Sequence, residues 1–143
     1  MEIRRGENCI IPILFARHLK DVNKVYDELL KPYGLSKFHG AYLICLIRNP
    51  NGLRLNDFNR IIGCDKANTS RALSDLESKN LISRDSESSQ EKKYFVKLTD
   101  EGRCIAEKFV LSMREFGDKM FSRLDDNEQK QFFYLLNKMF GGE

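Results

Sequence analysis

Between positions 66 and 71 the chain reads Lys-Ala-Asn-Thr-Ser-Arg, and nearly every side chain there can donate or accept a hydrogen bond. On a helix this run offers a guanidinium fork at Arg71, an amide at Asn68, hydroxyls at Thr69 and Ser70, and an ammonium at Lys66. Such groups suit the edges and the backbone of a nucleic acid. A guanidinium pairs bidentately with guanine, and an asparagine amide pairs bidentately with adenine. Hydroxyls, an ammonium and the first N–H groups of a helix suit phosphate oxygens. Arg54, Arg84, Lys92 and Lys93 would add salt-sensitive contacts to the phosphate backbone.

Chemistry of other kinds is thin. There is no phosphate-cradling glycine loop and no nucleophile–base signature, so no enzyme is expected. Asp125 and Asp126 read as carboxylates at a helix start, where they cap and meet the dipole. The two histidines, His18 and His39, and the four cysteines, Cys9, Cys45, Cys64 and Cys104, do not fall at metal-ligand spacings. Neither a metal nor a cofactor is therefore expected. The thiols read as reduced and mostly buried.

The elements that must position the run from Lys66 follow from periodicity. Apolar Leu14, Leu19, Val22, Val25, Tyr26, Leu29 and Leu30 predict a first helix over Pro12 to Lys31, stopped by Pro32 and Gly34. Ser36 then caps a second helix, whose stretch Ala41 to Ile47 is apolar almost all round and so belongs in a core. Leu55, Phe58 and Ile62 mark a short third helix ended by Gly63, and Asp65 caps the next, which runs from Lys66 to about Lys79. Thr69, Ala72, Leu73 and Leu76 form its inward face. Two short helices joined by a tight Gly turn are a helix-turn-helix signature.

After Asn80 the period changes to two. Leu81 to Arg84 and Lys93 to Leu98 predict a hairpin around a polar tip, Asp85 to Lys92. Thr99 caps a long helix to about Arg123, and Asp125 with Glu128 forms a capping box for a last, phenylalanine-rich helix. The fold expected is mainly α with a small β-hairpin wing. The winged lobe spans about 36–98, and further helices lie at about 8–33 and 99–143.

With 41% hydrophobic and 31% charged residues in 143, the chain fits one ordinary domain. The net charge of +3 permits nucleic-acid binding without demanding it. Arg4 and Arg5 before the run Ile10 to Ala16 imitate a secretory signal, but Pro12 and the charged residues from Arg17 onward break the pattern. No stretch is long enough to span a bilayer. A cytoplasmic location is expected.

The run Asp65 to Ile82 resembles the recognition-helix signature of the MarR (multiple antibiotic resistance regulator) family. Leu98-Thr99-Asp100-Glu101-Gly102 is similar to that family's L-T-x-x-G. The order of helices and hairpin agrees over essentially the whole chain. Asn80 stands where the family usually has Gly, and Gln90-Glu91-Lys92-Lys93 stands where its wing usually carries an Asp-Arg pair. Lys92 takes the place of that arginine.

The resemblance implies a sequence-specific transcription regulator, a repressor, that binds a palindromic operator in double-stranded DNA as a homodimer. It implies that the first and last helices pack across the two-fold axis. It also implies a small phenolic or lipophilic effector in a crevice, for which Arg17, His18, His39 and Tyr42 are candidate lining residues. Two other readings stay open. One is a winged-helix protein-interaction module without DNA binding, which the altered wing supports. The other is a redox-sensing regulator acting through a cysteine such as Cys9 near the first helix.

Overall fold

The computed structural model describes residues 10–86 and 94–140. Its element order is α1 (Ile10–Leu30), a 3₁₀ turn (Lys31–Tyr33), α2 (Lys37–Arg48), α3 (Leu55–Ile62), α4 (Lys66–Ser78), β1 (Ile82–Ser86), β2 (Tyr94–Leu98), α5 (Asp100–Phe121) and α6 (Asp126–Phe140). These residues fall into two packed units that divide within α5, between Phe109 and Val110. Each is described by itself.

The first unit is built around α2. Leu43 and Leu46 are buried there with Leu30 of α1, Phe58 of α3, Leu73 and Leu76 of α4, and Val96 of β2. The apolar character of α2 on nearly every side is thus met by neighbours on nearly every side. Gly40 permits the closest of these approaches. A Cβ there would stand 2.9 Å from Phe109 Cζ and 3.0 Å from Tyr26 Cδ2. Those two rings meet edge to face with centroids 5.1 Å apart.

The wing pairs β1 with β2 antiparallel, from Ile82 opposite Leu98 to Ser86 opposite Tyr94. The ladder reaches further toward the tip than the periodicity predicts, because Asp85 pairs with Phe95 and Ser86 with Tyr94. An ion pair between Lys97 and Asp85 at 3.1 Å supports that added length. Leu53 adds a rung on the other side: its N–H donates to Val96 O at 3.1 Å and its carbonyl accepts from Val96 N at 2.9 Å. Asn80 adopts φ 57°, as its place after α4 predicts. The first helix stops at Leu30, as expected before Pro32, which enters a 3₁₀ turn that Gly34 closes at φ 65°.

Thr99 joins the wing to α5. Its hydroxyl donates to Asn80 O at 2.7 Å and accepts from Gly102 N at 3.0 Å. In the second unit Asp125 and Glu128 form the expected reciprocal cap, each backbone N–H reaching the other's carboxylate at 2.9 Å. Phe121, Phe132 and Phe133 form a ring cluster with centroids 5.3 to 5.8 Å apart. No residue of α6 is buried, and Phe133, Tyr134, Leu135, Met139 and Phe140 are all exposed.

Candidate nucleic-acid interface

The helix α4 is anchored along one side. Thr69, Leu73 and Leu76 are fully buried and Ala72 nearly so, as the sequence predicts. Gly63, at φ 74°, turns the chain out of α3 while its N–H closes on Asn59 O at 3.0 Å. Only a residue tolerant of positive φ makes that turn without strain. Asp65 then caps α4 by accepting from Asn68 N at 2.7 Å. These contacts fix the axial rotation of α4, so the opposite side faces outward by geometry.

That outer side carries Lys66, Ala67, Asn68, Ser70 and Arg71, all exposed. Arg71 has no hydrogen bond or ion pair among the described residues. Asn68 is different: its Nδ2 donates to Asp65 Oδ2 at 2.7 Å, so one carboxylate holds both its backbone and its amide. Arg54, just before α3, lays its guanidinium over the Phe95 ring of the wing at 4.9 Å. The stacking brings its charge to the junction of α3 and β2.

Three expectations need correction. Thr69 cannot offer its hydroxyl to a phosphate, because it is fully buried and accepts from Tyr42 Oη at 3.4 Å. It belongs to the inner face, where its β-branched body packs and its hydroxyl is satisfied. Arg84 is taken up within the lobe: it pairs with Glu77 at 2.9 Å, donates to Tyr94 Oη at 2.8 Å and stacks on that ring. Its charge is spent tying α4 to the wing, not held out toward a backbone. Lys92 and Lys93 lie outside the described residues, as does Cys9.

The third correction concerns the crevice. A cavity of about 510 Å³ opens beside α2 and α4, lined among others by His39, Tyr42, Cys64, Asn68, Arg71 and Asp75. His39 and Tyr42 are therefore brought together, but Arg17 and His18 are exposed on α1 and do not line it. Both of the residues that do line it also serve the fold. His39 Nδ1 accepts from Ser36 N at 3.1 Å, completing the start of α2, while Nε2 faces Asp75 at 3.5 Å. Burial raises the Tyr42 phenol above its ordinary range, with the Thr69 contact partly opposing that shift.

The thiols also depart from expectation. Cys45 is buried, and desolvation raises its pKa, but Cys64 is half-buried at the cavity and Cys104 is exposed. Asp65, read from the sequence as a cap alone, and Asp75 are the site residues that sequence reasoning did not place at the site. An Asp three positions before an Asn at a helix start is a visible signal for the first. The second needs the tertiary meeting of α2 and α4.

The comparison with known families turns on this lobe. Residues 36–125 match the model of the HxlR-like helix-turn-helix family. The chain belongs to that family. It is thus a helix-turn-helix transcription regulator, and its winged fold is that of MarR-family regulators. It is 24% identical over 97% of its length, and 99% of the relative's, to the transcriptional regulator YwhA of Bacillus subtilis. It is 30% identical over 76% of its length to the regulator BilQ of Clostridioides difficile, covering 68% of that protein. Among solved structures, the regulator superposes on Staphylococcus aureus MepR in a DNA complex with a TM-score of 0.82, at 24% identity, covering 92% of this chain and 97% of that one. Rhodococcus jostii CouR bound to p-coumaroyl-CoA gives a TM-score of 0.75 at 19% identity, over 90% of each chain. No described helix is long and apolar enough to cross a membrane.

Proposed function

We propose that this regulator is a repressor that binds a palindromic operator as a homodimer, with α4 seated in the major groove of each half-site. The observation that carries the reading is the division of α4 into a buried inner face and an outer face bearing Lys66, Asn68, Ser70 and Arg71. A helix held at that rotation presents the side chains of its N-terminal half to base edges. Arg71 is the base reader best placed for guanine; Lys66 and Ser70 suit phosphates, and Arg54 suits the flanking backbone. The described part of the wing adds little charge, because Arg84 and Lys97 are paired with carboxylates.

A second copy of the chain is the partner that the apolar helices suit. Ile13, Phe15 and Leu19 are exposed on α1, and separately six large apolar side chains are exposed along α6. Contiguous apolar patches of that kind mark interfaces. The small-molecule effector of this reading occupies the cavity beside α4. A phenolic or lipophilic molecule seated there touches Asn68 and Arg71 from behind and so shifts the population toward conformations that do not fit DNA. MepR in complex with DNA and CouR with an aromatic acyl thioester support the two halves of this reading by analogy of fold.

Anisotropy titration of duplexes drawn from around the regulator's own gene tests it. Sequence-preferring binding that weakens steeply with salt is expected. An absence of binding even at low salt would sink it and favour the protein-interaction module instead.

A further inference from the structure

We infer that Asp65 is a positioning residue for base recognition, locking the Asn68 amide in the one orientation that reads adenine. The inference rests on the placement of α4 in the major groove proposed above. Both oxygens of the Asp65 carboxylate are committed to Asn68, Oδ1 to its backbone N–H and Oδ2 to its side-chain Nδ2, each at 2.7 Å. An N-cap needs only the first bond. The second is additional, and it falls on an exposed side chain whose amide would otherwise rotate in water.

The chemistry of the clamp decides which end of the amide faces it. An ionised carboxylate only accepts, so it takes the Nδ2 end and repels Oδ1. A carboxamide can normally flip between two orientations of similar shape. Here the flipped form would set oxygen against oxygen at hydrogen-bond distance. One Nδ2 hydrogen is consumed by Asp65. The other, with Oδ1, remains as an adjacent donor and acceptor pair. That is the pair that meets N7 and the N6 amino group of adenine, while guanine presents two acceptors on the same edge. A fixed amide therefore rejects guanine, whereas a rotating one can turn its donor toward it.

A structural cap and a positioning residue make different demands on the same carboxylate. Serine at 65 keeps the cap at α4 but cannot hold the Asn68 amide as the second carboxylate oxygen does. It also removes a negative charge beside the DNA backbone. Asp65→Ser should thus lower discrimination at one base pair while the other base pairs keep theirs.

The test is selection of binding sites from a randomised duplex library by the full chain, followed by titration of single-base variants of the selected site. In the wild-type chain one position of each half-site should be held as adenine, with about 10- to 100-fold preference over guanine. Asn68→Ala should erase preference at that position alone. Asp65→Ser, with its unfolding midpoint checked, should cut preference there to about threefold or less and leave the other positions intact. Full adenine preference in Asp65→Ser, or a loss spread evenly over all positions, overturns the positioning role. An unchanged site in Asn68→Ala overturns the inference while leaving DNA reading by α4 in place. A wild-type chain that enriches no sequence overturns both.

Discussion

Substituting Gly102 by Ala tests the junction between wing and long helix on which the lobe depends. An added Cβ would stand 1.8 Å from the Leu81 carbonyl oxygen and 2.7 Å from its carbon, where real contacts keep at least 3.0 Å. The obstacle is backbone, so no rotamer change relieves it. The chain must open by more than an ångström at a point where Leu81 and Ile82 are each 2% exposed. Opening also strains the bond from Thr99 N to Leu81 O, 3.1 Å long. Overpacking costs about 1–3 kcal/mol, and a buried polar group left unpaired costs about 1–3 kcal/mol more. Alanine's better helix propensity offsets about 1 kcal/mol. The net loss is roughly 1–5 kcal/mol, or a fall in melting temperature of roughly 3–20 °C for a chain of this length. Thermal and urea unfolding followed by circular dichroism, at fixed protomer concentration, measures it. Gly117, also on α5, has open space where its Cβ would go, so Gly117→Ala should stabilise by about 0.5–1 kcal/mol. A Gly102→Ala protein as stable as the wild type would refute the reasoning.

Four other outcomes follow from the same structure. Arg71→Ala should weaken binding to a selected operator by about 1–3 kcal/mol, and relax it at one base pair, in anisotropy titrations. Thr69→Val removes the acceptor for the buried Tyr42 hydroxyl and should lower unfolding stability by about 1–3 kcal/mol, while Tyr42→Phe and the double variant close a cycle showing coupling. Burial raises the pKa of Tyr26, so its folded phenol ionises later than the unfolded one; stability should hold below about pH 10, the ordinary tyrosine value, and fall above it, and Tyr26→Phe should flatten part of that fall in urea midpoints. Met139→Glu combined with Phe140→Glu should turn a dimer into a monomer in light scattering, since both side chains are exposed on α6; a wild-type chain already monomeric at micromolar concentration would refute the two-fold pairing.

Much of the lobe was legible because its signals are local. Caps and turn residues act within one turn of chain, so Ser36, Gly63, Asp65, Asn80, Thr99 and the Asp125–Glu128 box could be read directly. The inner face of α4 was legible because a 3.6-residue period leaves little choice once Leu73 and Leu76 face inward. Thr69 shows where that reading stops. Its type suits a phosphate contact and its position suits the core, and only the meeting with Tyr42 decides between them. Arg84 is similar, since its partners Glu77 and Tyr94 come from α4 and β2. Leu53 entered the sheet through a bridge of one residue, too short to leave a period.

The distribution of charge bears on how such a regulator gains specificity. Within the described residues, Arg84 and Lys97 of the wing are neutralised by Glu77 and Asp85. Each phosphate contact withheld in this way removes a released counterion and about one unit of salt dependence. A regulator with fewer such contacts binds bulk DNA less tightly, so a given set of base contacts separates operator from background by the same ratio at lower absolute affinity. On the proposed reading the discriminating work then falls on the outer face of α4, where Arg71 is unpaired among the described residues and the Asn68 amide is held by Asp65. That is the arrangement in which orienting a single amide carries most weight. The fewer phosphate contacts stand behind a base contact, the larger the share of the way toward release that its loss moves such a regulator.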